Sequence, residues 1–305
     1  MAAVTLQDLR GNRARARKEV VVKTLFLSAA VLSVVVSALI VVALVGKAWD
    51  FFGDVSKASL WGDNWAPRSG DFSLKALLSS TFLVTGIAMV IAAPLGLGSA
   101  IFLSEYANPR VRRTVKPVLE VLAGIPSVVL GFFCVSFISP NLVQRFSDDA
   151  GTFSLAAAGV GVGILTIPLI ASVSEDAMRS VPAALREASY GLGARKITTC
   201  LKVVLPAAVS GLVAAFILAI SRAIGETMVV LLAAGSANAS QYTSNPFEEG
   251  LTMTAAIASQ VRGSDAAVDP IVVNSLYFVG FTLFLITLVL NVVADRFVRR
   301  VRQAY

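Results

Sequence analysis

Six stretches of this 305-residue chain run too long without charge to belong to a soluble core. Counted strictly between flanking charges, Lys23 to Lys47 encloses 23 residues, Lys75 to Glu105 encloses 29 and Glu120 to Arg145 encloses 24. Asp149 to Glu175 and Asp269 to Asp295 enclose 25 each, and between Lys202 and Glu248 only Arg222 and Glu226 interrupt the run. About 20 helical residues cross the hydrocarbon of a bilayer. Backbone amides left unpaired in lipid are so costly that such runs must be helical. The expectation is an all-α polytopic membrane protein with six transmembrane helices.

Arg13, Arg15, Arg17 and Lys18 precede the first run, as in a secretory signal, but its apolar stretch exceeds the roughly 7–15 residues of a signal core. Catalysis by this chain is not expected. It has no histidine, which removes the commonest general base and neutral metal ligand. Two cysteines, Cys134 and Cys200, cannot complete a four-ligand zinc site. With one in a span and one in a connecting segment, they are not expected to form a disulfide.

Alternation across the membrane sorts the Lys and Arg residues. With the N-terminus inside, 19 fall on the inner side and six outside, which places both termini in the cytoplasm by the positive-inside rule. The resulting order is a cytoplasmic segment 1–23, a first span 24–46, an outer loop 47–75, a second span 76–104 and an inner loop 105–117. A third span 118–140, an outer loop 141–153 and a fourth span 154–174 follow. Then come a cytoplasmic loop 175–206, a fifth span 207–235, an outer segment 236–270 with a short helix, a sixth span 271–294 and a cytoplasmic tail 295–305. The basic pI of about 9.7 thus reflects topology and requires no nucleic-acid partner. Trp49, Trp61 and Trp65 bracket the first outer loop, as rings anchored at the lipid headgroups do.

Residues 175–206 read as two short helices. Pro182 suits the start of the first, Gly191 and Gly193 break it, Arg195 to Val204 form the second, and Pro206 opens span five. Glu187-Ala188-Ser189, Gly193 after three residues, and Val203-Val204-Leu205-Pro206 after nine more resemble the E-A-A-x3-G-x9-I-x-L-P signature of ABC-importer permeases. Ser189 and Val203 depart from it conservatively. The resemblance implies the type I permease fold and a coupling loop that seats on an ATPase subunit, with Glu187, Ala188, Gly193, Leu205 and Pro206 at that interface. The chain has no G-x-x-x-x-G-K-[ST] phosphate loop, so Mg-ATP belongs to the partner and no cofactor is expected here.

Lys116-Pro117-Val118-Leu119-Glu120-Val121-Leu122-Ala123-Gly124-Ile125-Pro126-Ser127-Val128-Val129 and Arg222-Ala223-Ile224-Gly225-Glu226-Thr227-Met228 resemble the PstC-type permeases of the phosphate ABC importer. The related PstA-type permeases resemble the chain too, but Met228 and Leu251-Thr252-Met253-Thr254-Ala255-Ala256-Ile257-Ala258 favour PstC. The resemblance runs from about residue 76 onward. It implies a bacterial inner-membrane assembly with a second homologous permease, two ATPase subunits and an extracytoplasmic phosphate-binding protein.

Arg222 and Glu226 are the only charged residues that interrupt the apolar runs, and they must face protein or water. At i and i+4 they would share a helix face. They read either as a structural pair fixing register or as an anion waypoint, with Ser127 and Thr227 completing the substrate pathway. An arginine fork suits a tetrahedral oxyanion. Pro94, Gly96, Gly98, Gly124 and Pro126 admit helix packing or motion alike. Gly159, Gly161 and Gly163, alternating at i+2, are not expected to form a single i,i+4 stripe. A sulfate or molybdate permease, an ion-coupled secondary transporter and a membrane scaffold are the competing functions.

Overall fold

The computed structural model describes residues 13–147, 150–235, 240–261 and 269–301. The expected N-terminal segment as far as residue 12, Arg262 and the last four residues lie outside them. Helix α1 runs Arg13–Asp54, well beyond 24–46 at both ends. A small antiparallel hairpin follows, β1 Trp65–Ala66 and β2 Asp71–Phe72. Helix α2, Leu74–Ile101, starts where the Ser73 hydroxyl accepts from the Ala76 amide, and passes into a π-helical turn at Phe102–Tyr106. Then come α3 Pro109–Ala123, α4 Ser127–Phe133, a π-helical stretch Cys134–Val143 and α5 Gln144–Phe146. Helix α6, Leu155–Arg179, is capped by Ser154. After α7 Ala183–Gly191, α8 Lys196–Thr199 leads through a π-helical turn Cys200–Val204 into α9 Leu205–Ile224. The chain ends with α10 Met228–Ala233, α11 Met253–Val261 and α12 Pro270–Val301.

Six helical stretches are long and apolar enough to cross a membrane: Lys18–Asp54, Leu74–Tyr106, Ser127–Phe146, Leu155–Arg179, Lys196–Ile224 and Pro270–Arg300. Several hydroxyls within them bond back to their own helix, as Thr81 does to the Leu77 carbonyl and Thr166 to that of Val162, which satisfies them away from water.

Helix α6 is central, packing on α2, α9 and α10. Its glycines make that close approach possible, and as expected the three do not form a single stripe. Gly159 and Gly163, four apart, both face α2, where a Cβ would meet the Ile87 side chain and the Ala88 carbonyl. Gly161 turns the other way, toward Cys134 and Val229. Helix α1 packs mainly on α12, with Phe51 and Phe52 against Phe278.

Three boundaries change. Residues 105–117 are not a loop, and 118–140 is not the third span. An amphipathic helix, α3, occupies Pro109–Ala123, and the crossing helix begins only at Ser127. Gly124-Ile125-Pro126 separates them because a residue before proline avoids helical geometry and the proline offers no amide. The expected second helix of 175–206 does not stand alone. It continues from Lys196 to Ile224, the π-helical turn at Cys200–Val204 leading the backbone into Pro206. The fifth span does not run unbroken to 235, since α9 ends at Ile224 and α10 starts at Met228. Trp49 and Trp61 are exposed, but Trp65 is buried against Phe72 in the cluster that closes this end of the bundle, so it does not anchor at a headgroup.

Candidate functional site

Two regions gather the residues singled out from the sequence. The first is the projecting α7. Its exposed face carries Glu187 and Ala188, and the turn that follows presents Leu192, 89% exposed, and Gly193. Gly193 has φ +78°, a left-handed conformation that side chains resist, and a Cβ there would meet nothing within 4 Å. This small knob is fastened to the bundle by Arg186. Its Nη1 donates to the Val181 carbonyl at 2.6 Å, and Nη2 donates to the Met178 carbonyl at 2.8 Å and to Glu105 Oε1 at 3.1 Å. Glu105, only 5% exposed, lies in the π-helical end of α2, where the Ser104 hydroxyl also donates to it. Ser189 and Thr199 share a hydrogen bond of 2.9 Å across the turn. Leu205 is half-buried and Pro206 exposed at the start of α9, away from the tip.

The second region lies at mid-depth. Val229 stands opposite Gly161 of α6, and Ala219 clusters with Ile170, so Arg222 falls beside the middle of that helix. The expected i,i+4 pairing with Glu226 is not present. Because α9 ends at Ile224, Glu226 sits in the turn, where its Oε1 accepts from the amides of Met228 and Val229 at 3.2 and 3.3 Å. The carboxylate thereby satisfies the open amides at the start of α10, as anions at helix N-termini do. Thr254 at the head of α11 donates to the Glu226 carbonyl at 2.7 Å, joining a third element to the turn. Arg222 is exposed and makes no ion pair within 4 Å among the described residues. Thr227 donates to the Gly225 carbonyl.

Ser127 begins α4 immediately after Pro126. One turn further on, a Cβ at Gly131 would meet Leu232 and the Met228 carbonyl. The break at Gly124–Pro126 and the break at Gly225–Thr227 therefore lie side by side, within about 6 Å along the bundle axis. An apolar cavity of about 110 Å³, lined by Leu122, Ile125, Ile164 and Pro168 among others, leaves space behind the first break.

Sequence reasoning missed a third charged centre. Glu175, treated above only as the charge that ends a span, is fully buried. Its carboxylate pairs with Arg112 Nε at 2.6 Å and Lys116 Nζ at 3.1 Å, both from α3, and with Arg179 at 3.9 Å. Lys116 also reaches Asp176 at 2.7 Å. Burial works against the Lys116 ammonium, but the two acids outweigh it and hold its pKa above the ordinary lysine value of 10.5. The spacing Arg112, Lys116 on an amphipathic helix was the one available signal, and its partner lies too far along the chain to be paired by eye.

Comparison with known proteins agrees with this architecture. Residues 92–303 match the family described as binding-protein-dependent transport system inner membrane component. A probable ABC transporter permease protein, YqgH of Bacillus subtilis, is 35% identical over 76% of this chain and 76% of its own length. The phosphate transport system permease protein PstC of Mesorhizobium japonicum is 30% identical over 90% of this chain and 88% of its own, and that of Pasteurella multocida 31% over 87% of each. Among solved structures, a bacterial ABC transporter that imports alginate superposes with a TM-score of 0.63 at 15% identity, covering 95% of this chain and all of that one. The MetNI methionine ABC transporter in an inward-facing conformation gives 0.59 at 22%, covering 82% and 100%. With six membrane-spanning helices, an EAA-type loop and these relatives, the chain belongs to the binding-protein-dependent transport system inner membrane components, as an ABC importer permease of the PstC type.

Proposed function

We propose that this permease forms half of the pathway of an ATP-driven inorganic phosphate importer in a bacterial inner membrane, with both termini in the cytoplasm. The observation that carries the coupling half of this reading is the α7 knob. It exposes an unpartnered leucine and a left-handed glycine at its tip while a half-buried arginine bolts its root to the transmembrane helices. An apolar tip on a fixed root is what an ATPase subunit needs to grip if closure of its dimer is to move the bundle. Glu187, Ala188 and Gly193 would lie in that contact, and Leu205 and Pro206 would carry the motion into α9. The remaining subunits are a second, homologous permease, a second copy of the ATPase and an extracytoplasmic binding protein. Mg-ATP binds the ATPase and not this chain.

Arg222 supplies the substrate half. A permanently charged, unpaired guanidinium at mid-depth suits a tetrahedral oxyanion, and Ser127 and Thr227 at the neighbouring helix breaks offer hydroxyls along the same route. Glu226 holds the start of α10, so its role is to shape the turn that presents Arg222. Arg222→Gln is expected to abolish ATP-dependent phosphate uptake into proteoliposomes supplied with binding protein, with assembly intact. Normal uptake by the assembled variant would place the pathway elsewhere. Equal uptake of sulfate by the native complex would replace phosphate with the broader oxyanion reading.

A further inference from the structure

Beyond the transport pathway, the end of the bundle that carries α7 has a cleft of about 560 Å³ between the end of α2, α3 and the end of α6. Arg112, Arg113, Lys116 and Arg179 line it, with Glu120 as the one acid in the wall and Leu103 among its apolar residues. The buried Glu175 behind the wall takes up Arg112 Nε and one contact of Lys116, and Asp176 takes another. Arg113 is exposed and has no ion pair among the described residues. The cleft thus retains an unspent guanidinium and a positive surplus. On the opposite flank of α3 lies a second cavity of about 370 Å³, overwhelmingly apolar, lined by Pro94, Leu95, Gly98, Phe102, Leu103 and Leu119. Leu103 lines both, so the basic cleft and the apolar groove meet at one side chain. From Leu103 back to Pro94 the groove climbs roughly 13 Å along α2, away from the charged end and into the membrane-crossing part of the bundle.

We infer that this composite site holds an anionic phospholipid, with the phosphate in the Arg112–Arg113–Lys116 cleft and an acyl chain in the groove beneath α3. Charge and greasiness follow the order in which a lipid presents them from the headgroup inward, and basic pockets between transmembrane helices on the positively charged side suit such headgroups. Helix α3 itself is amphipathic, as helices lying at a membrane interface are. Free phosphate shares the headgroup chemistry and would satisfy the guanidiniums, but it would leave the groove unfilled. The lipid is therefore the occupant proposed. The inference does not depend on which solute the permease carries.

The test uses protein purified from its own membrane in mild detergent and examined by native mass spectrometry. Phosphatidylglycerol or cardiolipin should remain bound. Arg113→Gln should reduce that retention about fivefold, the effect of one basic residue near an anionic headgroup. Gly98→Leu, whose first added carbon meets nothing within 4 Å, should reduce it as well by filling the groove while every cation stays in place. Titrating lipid into delipidated native protein makes the test independent of variant folding: phosphatidylglycerol should bind and phosphatidylcholine should not. Retention unchanged in both variants, equal binding of the two lipids, or displacement of the bound species by millimolar inorganic phosphate would overturn the inference. So would absence of lipid in a preparation where the second permease covers the groove.

Discussion

At the scale of single residues, the charge that shapes this molecule most is Glu175. A carboxylate with no exposed surface is tolerable only because Arg112 and Lys116 come to it from another helix. Removing one member of a buried pair typically costs about 3–5 kcal/mol, because the charge left behind has neither water nor a partner. Here the cations are partly exposed, so the lower end of that range applies. Glu175→Gln keeps the shape and deletes the charge, and it should lower the melting temperature of the detergent-solubilised protein by several degrees. A melting curve superimposable on the native one would show that the cluster contributes little. The Lys116 contribution has a definite sign with pH. Its folded-state pKa is raised above 10.5, so the stabilisation is fully present below that value and is lost only as pH climbs past the raised one. Melting between pH 6 and 9 should therefore not vary on account of this lysine.

At the scale of elements, the tip of the α7 knob is the most exposed to test. Gly193 has room for a side chain but a backbone that resists one, since left-handed geometry costs an ordinary residue about 1–2 kcal/mol. Asparagine visits that region readily. Gly193→Asn should therefore keep ATPase copurification and substrate-stimulated turnover, whereas Gly193→Val should weaken both by straining the turn, and Gly193→Trp should abolish seating by adding bulk at the contact. Undiminished turnover in the tryptophan variant would remove this turn from the interface. The knob was readable in the sequence because proline, glycine and the EAA spacing are local signals. The crossing helices were readable because an uncharged run is a one-dimensional property. Helix α3 was not: its five charges, Arg110, Arg112, Arg113, Lys116 and Glu120, broke the apolar pattern that had been used to find helices, although the same charges lie along an amphipathic surface. The turn at Gly225–Thr227 was hidden for the opposite reason. Apolar residues continue on both sides of it, and only glycine followed by a helix-capping acid marks the break.

For the molecule as a whole, the two ends of the bundle differ in kind, and that difference fixes an experiment. One end carries the α7 knob, the Glu105–Arg186 bolt and the basic cleft beside α3. The other is closed by a plug in which the hairpin and the segment after α10 hold each other. The Tyr242 amide donates to the Asp63 carbonyl at 2.7 Å, Ser240 Oγ to Asn64 Oδ1 at 2.7 Å, and Ser79 Oγ to the Thr243 carbonyl at 2.7 Å. Lys75 joins the same plug through Asp63 at 2.8 Å and the face of Tyr242. Between the ends, the 25 residues of α6 span about 37 Å, more than the hydrocarbon thickness, so the knob and the plug lie on opposite sides of the bilayer. The excess of basic residues at the knob end is the ground on which that end is proposed as the cytoplasmic one. With both native cysteines buried, single reporters can be read cleanly. Ser244→Cys and Glu249→Cys, at exposed positions of the plug, should react with a membrane-impermeant thiol reagent added to intact cells. Leu192→Cys, at the exposed tip of the knob, should react only in inverted vesicles or after the membrane is opened. If the plug positions label only from the cytoplasm, the orientation is reversed and the knob cannot reach an intracellular ATPase.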